Sequence, residues 1–295
     1  MSNHPIPNIK SVHNFTENDS EQGLTRIYLY YSKSSTHIHT EKQEVDLLET
    51  PKWGKMLFLD GCLQSTTKDE VIYHNALVHP LLHSLKNREK ILILGGGEGA
   101  TAREVLRWPV FSTIMVDYDR ELVEHMKSHG IEWHKGAFYD LRLKVAYECA
   151  WSYMRKGYTF DAVIIDLTDP DLSMERWEEL LTLVLSSVRQ SKGGFVMNAG
   201  LYQPWNTSKL QGIIKLICLL CTKNKDFKYY VYTAFVPSFN GEWTFIVMKH
   251  KSTFLMEPEH LEIIPEWIRR SIRTLPEHLI MCVSTEPILN KFILS

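Results

Sequence analysis

Residues Ile91 to Arg103 read ILILGGGEGATAR. Four apolar residues run into three consecutive glycines, then Glu98, Gly99 and the start of a helical pattern. A short apolar run ended by glycine is a buried strand feeding a tight turn, and such a turn lets a nucleoside approach bare backbone. The plainer alternative is that Gly95 to Gly97 only let a helix pack closely on the strand. A turn built for pyrophosphate offers backbone N–H groups and no carboxylate, because two negative groups would repel. Glu98 therefore predicts that the ligand arm arriving here is cationic.

The chain around this turn alternates. From Lys90 onward the strand patterns are ILILGG, TIMVDYD, LRLKVAY, FDAVIID, GGFVMNAG, YYVYTAF and WTFIVMKH. Helical patterns separate most of them, which predicts an α/β fold with a doubly wound, mostly parallel sheet. Only a short turn joins the last two strands, so they are expected to be antiparallel. Before Lys90, DEVIYHNALVHPLLHSL has helical periodicity. Between Thr25 and Thr67 the runs RIYLYYS, KQEVDLLET, GKMLFLDG and CLQSTT, split by Pro51 and Asp60-Gly61, predict a small antiparallel meander. The expected organisation is a loosely packed arm over 1–25, a β-strand domain over 26–68, and a catalytic domain over 69–295 whose tail, PEWIRRSIRTLPEHLIM, is helical.

Composition narrows the partners. The formal net charge is −2 over 295 residues, which gives no general pull toward nucleic acid or anionic membrane. No apolar run has the length of a membrane span, and the first residues lack the apolar core of a secretory signal. Five cysteines, an odd number, predict a reduced, cytoplasmic protein. Cys218 and Cys221 form a C-x-x-C inside the apolar pattern KLICLLCTK, which predicts buried packing rather than metal or redox work.

In an open parallel sheet, ligands bind at the carboxyl ends of strands. Besides GGGEG, three other strand ends carry suggestive groups. Asp117, in VDYD, can accept both ribose hydroxyls on one carboxylate. Glu148 and Cys149 follow LRLKVAY and could line an adenine, or Cys149 could be a small buried residue. Asp166 and Asp169 follow FDAVII in a turn stiffened by Pro170. Asp169 could be a helix N-cap, but Asp166 comes straight off the strand, where one-sided desolvation raises its basicity. Glu98, Asp166 and Asp169 would converge on one cleft, and such a cluster is costly without cations. No lysine or arginine lies in these turns. A polyammonium ligand is the expected partner, with a metal ranked second because the cluster lacks a histidine.

With these motifs in place, the sequence resembles the aminopropyltransferases, the spermidine and spermine synthase family, and most of all the thermospermine synthases. The likeness runs from about Lys42 to Lys249. It rests on KQEVDLLET, WGKMLFLDGCLQSTTKDEVIYHNALVHPLL, ILILGGGEGATAREVL, VDYD, FDAVIIDLTDP and VPSFNGEW. The resemblance implies a Rossmann-like, methyltransferase-type sheet with a small N-terminal antiparallel β domain. It implies that decarboxylated S-adenosylmethionine, a co-substrate, gives its aminopropyl group to a diamine or polyamine, with no metal or other cofactor. It also implies a homodimer or homotetramer.

By the same resemblance Asp166 is the catalytic base, with Tyr73 orienting the amine. Gln43, Gln64, Gly95, Gly97, Glu98, Asp117, Glu148 and Cys149 fall at donor-binding positions, and Asp169, Tyr73, Phe239 and Trp243 at acceptor-binding ones. Three departures stand out: Cys149 replaces the usual aspartate, the segment after Pro170 passes almost directly into a helix, and Asn198 stands where glutamine is common. The competing expectations are a methyltransferase using intact S-adenosylmethionine and a catalytically weak homologue that binds polyamine or nucleoside.

Overall fold

In a computed structural model the described residues are 12–19, 22–168, 170 and 174–253. They fall into two units: residues 1–71 with Pro237–Phe239, and residues 72–236 with 240–295.

The first unit is built from strands. β1 (Val12–Asp19) and β2 (Leu24–Tyr31) form an antiparallel hairpin. β3 (Thr36–His39), β4 (Glu44–Thr50), β5 (Gly54–Leu59) and β6 (Cys62–Thr66) form a separate antiparallel sheet in chain order. Two expectations are corrected here. Residues 12–19 are a strand rather than a loosely packed arm, and RIYLYYS pairs with that strand instead of opening the meander. The cause is a buried carboxylate: Glu17 accepts the Tyr28 hydroxyl at 2.7 Å and the Leu63 amide at 2.8 Å, tying the hairpin to β6. Phe15 and Tyr28 then cover Phe58. Polar residues outnumber apolar ones in VHNFTEND, so the sequence pattern hides this strand. The boundary near residue 68 also gains a distant piece. Asp69 accepts Thr66 Oγ1 at 2.6 Å and the Ser238 amide at 2.7 Å, which holds Pro237–Phe239 to this unit.

The second unit follows the expected alternation. Its sheet has the order β12-β13-β11-β10-β7-β8-β9, from β7 (Lys90–Gly95), β8 (Ser112–Asp117), β9 (Leu143–Tyr147), β10 (Ala162–Asp166), β11 (Gly194–Leu201), β12 (Phe227–Val236) and β13 (Gly241–His250). The five strands from β11 to β9 are parallel, and β13 runs antiparallel to both β11 and β12. Among the described residues the α-helices are α1 (Glu70–Ser84), α2 (Ala100–Leu106), α3 (Arg120–His129), α4 (Ile131–His134), α5 (Ala150–Met154), α6 (Met174–Arg189) and α7 (Ser208–Lys223).

Side chains of a strand alternate between faces, and β7 shows it. Ile91 and Ile93 pack with α1 and α2 residues such as Leu81 and Val105, while Leu92 and Leu94 pack with α6 and α7 residues such as Leu181 and Ile217. A continuous apolar run is therefore what a doubly covered strand requires. The chain leaves β7 toward β8 and β9 on one side and returns to β10 and β11 on the other. That reversal opens a crevice at the carboxyl ends of β7 and β10, where Gly95 and Asp166 are register partners.

The C-x-x-C lies on α7 as expected, but Cys218 is exposed and only Cys221 is partly buried, its thiol 3.2 Å from the Phe227 carbonyl. Cys149 is also exposed, so it is not a small core residue. The expected helical tail lies outside the described residues.

Candidate active site

The glycine turn is shaped by its neighbour. Gly95 and Gly96 take φ of 84° and 74°, a region closed to most side chains, and a Cβ on Gly95 would collide with the Asp166 carbonyl. The Gly96 amide donates to that carbonyl at 3.2 Å. Gly97 is tight for a different reason: a Cβ there would stand 3.0 Å from Asp117 Oδ2. Bare backbone is thus what brings three strand ends together.

Asp166 ends β10 with two hydroxyls on its carboxylate. Tyr73 donates to Oδ1 at 2.9 Å and Thr101 to Oδ2 at 2.5 Å. Tyr73 comes from α1, and Phe245 and Trp243 of β13 fix its ring edge-on at centroid distances of 5.3 and 6.1 Å. Burial first, and then the Glu98 charge, raise the Asp166 pKa above the ordinary aspartate value; the neighbouring His74 and the two hydroxyls pull it down less strongly. Burial likewise lifts Asp117 to about 7, with Asp119, Glu98 and Asp166 adding repulsion and the Asp119 amide, 2.9 Å from Oδ1, opposing it.

His74 was missed in the sequence. It is buried next to Tyr73 on α1, and its Nε2 lies 2.9 Å from Glu98 Oε1. Ligand atoms of His74, Glu98 and Asp166 all lie within 4.8 Å of one another. The premise that the acid cluster lacks a histidine is therefore wrong: the fold supplies one from a helix that precedes the glycine turn. The group can receive a divalent cation or an ammonium, and its composition alone does not choose. Thr101 was missed as well. Its signal is its place in the first turn of the helix after GGGEG, facing the next strand end.

Other expected site residues divide by unit. Gly95, Gly97, Glu98, Asp117, Asp166, Tyr73 and Trp243 all belong to the second unit, together with Glu148 and Cys149. Glu148 is held by Lys156 Nζ at 2.6 Å, and Cys149 begins α5 without a side-chain cap. Gln43, Gln64 and Phe239 belong to the first unit. Phe239 packs on that unit's core of Leu48, Met56, Phe58 and Leu63, and Gln64 Nε2 donates to the Cys62 carbonyl at 3.2 Å. Asp169 lies outside the described residues. α6 starts at Met174, and the segment expected to pass almost directly into it, residues 171–173, lies outside the described residues.

Residues 70–257 match the Spermine/spermidine synthase domain. The chain belongs to the spermine/spermidine synthase family. It is 38% identical to the polyamine aminopropyltransferase of Sulfurisphaera tokodaii over 74% of this chain and 73% of that protein. To the polyamine aminopropyltransferase of Saccharolobus solfataricus it is 37% identical, over 79% and 78% of the two chains. The fold is that of the spermidine synthase of Thermotoga maritima, with a TM-score of 0.73, 21% identity, and coverage of 89% of this chain and 95% of that one. A spermidine synthase in complex with the transition state analogue AdoDATO gives a TM-score of 0.74 at 22% identity, covering 89% and 96%. Within this family fold, the matched stretch holds the whole of the Asp166 cluster.

Proposed function

We infer that this chain moves the aminopropyl group of decarboxylated S-adenosylmethionine to an amine nitrogen of a diamine or polyamine, releasing methylthioadenosine. The observation that carries the mechanism is Asp166. It is a strand-end carboxylate, oriented by two hydroxyls and raised in pKa by burial and by Glu98. The acceptor amine has a pKa near that of lysine, ~10, and cannot attack while protonated. Asp166 takes that proton. The freed nitrogen lone pair forms a bond to the methylene carbon, the carbon–sulfur bond breaks, and its electrons neutralise the sulfonium. The carboxylate keeps acceptor capacity beyond the Tyr73 and Thr101 hydrogen bonds, so the amine and both hydroxyls can share it. Alignment of nitrogen, carbon and sulfur supplies much of the remaining rate.

Glu98, with His74 against one oxygen, faces the place where the donor carries a lone ammonium. Intact S-adenosylmethionine adds a carboxylate there, and Glu98 repels it. Asp117 accepts the ribose hydroxyls. Gln43, Gln64, Glu148 and Cys149 complete the donor side in this reading, and Asp169, Phe239 and Trp243 the acceptor side. The segment VPSFNGEW supports a product of the thermospermine type. Free thiols at Cys62, Cys149, Cys218 and Cys221 fit a reduced cytoplasm, and no helix among the described residues is long and apolar enough to cross a membrane. Assembly as a homodimer or homotetramer belongs to the same reading.

The test is an incubation with decarboxylated donor and either putrescine or spermidine, read by product mass. An aminopropyl increment with stoichiometric methylthioadenosine is expected. A methyl increment, or none with either amine, overturns the reading.

A further inference from the structure

Asn198 stands near the carboxyl end of β11 and is buried, at 5% exposure. Its side chain joins three segments. Nδ2 donates to the Leu167 carbonyl at 3.2 Å. Oδ1 accepts the Gly200 amide at 2.8 Å and the Trp243 indole N–H at 2.7 Å. Leu167 is the residue after Asp166, and the Trp243 ring lies edge-on to Tyr73, whose hydroxyl holds Asp166. One amide therefore reaches both sides of the catalytic pair.

The backbone is shaped to put it there. Asn198 faces Phe245 across the sheet, but Leu201 faces Trp243, so β11 carries one extra residue between them. Gly200 has φ of 85°, which admits the tight turn closed by the Asn198 side chain. A bulge of this kind bends the strand end and re-aims side chains beside a site. An amide suits the position because it offers a donor on one atom and an acceptor on another. A carboxylate would face the Leu167 carbonyl with a second acceptor, and an alkyl group would leave the indole N–H and that carbonyl to find other partners.

We propose that Asn198 is a positioning and specificity-determining residue. It fixes the Trp243 indole against Tyr73, and the chain leaving Asp166, so that the width of the acceptor slot and the aim of the base are set by one side chain. The inference rests on the aminopropyl-transfer reading. The two substitutions Asn198→Gln and Asn198→Asp separate its halves. Asn198→Gln keeps the amide but adds a methylene, which displaces the indole toward the acceptor. Asn198→Asp keeps the acceptor for Trp243 and Gly200 but repels the Leu167 carbonyl, which disturbs Asp166.

The experiment measures methylthioadenosine release against acceptor and donor concentration, at several pH values, for wild type and both variants. Asn198→Gln should raise the acceptor KM roughly tenfold, the scale of one impaired buried hydrogen bond, with donor KM unchanged. The ratio of putrescine to spermidine use should also change. Asn198→Asp should instead lower kcat and move the acid limb of the rate profile to higher pH, with a smaller change in acceptor KM. The indole N–H resonance of Trp243, assigned with Trp243→Phe, should shift in both variants, because Asn198→Asp gives it a charged acceptor, and the ring's Overhauser contacts to Tyr73 should weaken in Asn198→Gln and persist in Asn198→Asp. Equal losses of folded protein in both variants, with unchanged KM, pH profile and indole resonance, would reduce Asn198 to a packing residue and overturn the proposal. If wild type transfers nothing, the functional reading fails. Calorimetry of spermidine binding to wild type and Asn198→Gln then decides the positioning claim, which unchanged affinity would overturn.

Discussion

His74 and Glu98 meet at 2.9 Å; a little over one helical turn further along α1 and α2, His79 and Glu104 meet at 3.0 Å. Both pairs join the helix carrying Tyr73 to the glycine turn and the helix that follows it. Their surroundings differ in charge. Glu104 also accepts Arg103 Nε at 2.8 Å and Arg107 at 2.7 Å, and Arg103 reaches on to the Trp133 carbonyl. Trp108 donates its indole N–H to His79 Nδ1 at 3.0 Å, which leaves Nε2 as the nitrogen that donates to Glu104. Burial pushes the His79 pKa down, and its hydrogen bond with the charges around it holds Glu104 far below the usual carboxylate range despite burial. The inner pair is compensated several times over. The outer pair has Asp166 and Asp117 for company, and both of these are raised in pKa. A histidine–carboxylate pair is thus structural or functional according to the charge around it, and excess negative charge at a strand end is what a cationic substrate neutralises.

The largest effect is expected at Asp166. Asp166→Asn removes proton acceptance and leaves its shape, so turnover should fall roughly 10²–10⁴-fold with the melting temperature nearly unchanged. Single-turnover kinetics at saturating substrates check this; wild-type turnover in the variant would show that the outer cluster does not work through Asp166.

The inner pair should respond in stability instead. Glu104→Gln strands Arg103 and Arg107 beside a neutral group in a buried setting, and breaking such a network costs about 3–5 kcal/mol. Chemical denaturation should show that loss, while Glu98→Gln in the outer pair should show little. Equal losses in both variants would erase the distinction.

Acidity offers a third test. Asp117 has a pKa near 7 in the folded protein against 3.8 ordinarily. Between these values the folded state holds a proton that the unfolded state has lost, so the group's contribution to stability falls as pH rises and is fully unfavourable above 7. Asp117→Asn should therefore flatten the decline in melting temperature between pH 5 and pH 8. It should also weaken donor binding at pH 8, where the wild-type carboxylate is ionised. A decline of wild-type steepness in the variant would place the cause elsewhere.

The smallest effect is expected at Cys149. The thiol is a poor acceptor for an adenine amino group, and Glu148 is engaged by Lys156. Cys149→Asp should tighten donor binding by about 1.5–3 kcal/mol if the new carboxylate meets that group well. Weaker binding would mean that Glu148 already serves it, and no change would mean that this turn does not touch the adenine.

The parallel sheet was legible because its central strands are covered on both faces and must be apolar, as ILIL, AVII and FVM are, and because helical patterns separate most of the strand patterns after Lys90. Asp117 and Asp166 were legible because each ends a strand, and Glu98 because it sits in the glycine turn that follows one, where a reversing sheet exposes its tips. β1 was not, since its burial depends on Glu17 meeting groups from β2 and β6 rather than on an apolar pattern. His74 was not legible either. A histidine beside a tyrosine in a helix carries no sign of which carboxylate it will meet, and its partner arrives from a turn formed by a different segment. The role of Asn198 depends on a bulge, which a strand pattern read in periods of two cannot register.

The excess negative charge of the outer cluster, Glu98 beside Asp166 and Asp117, is what would select a cationic arm. Titration calorimetry of wild type and Glu98→Gln, each with decarboxylated and with intact S-adenosylmethionine, measures this directly. Wild type should bind the decarboxylated form more tightly, and Glu98→Gln should narrow the preference by weakening that form and strengthening the intact one. Unchanged discrimination in the variant would contradict it, because Glu98 would then face away from the arm that distinguishes the two ligands.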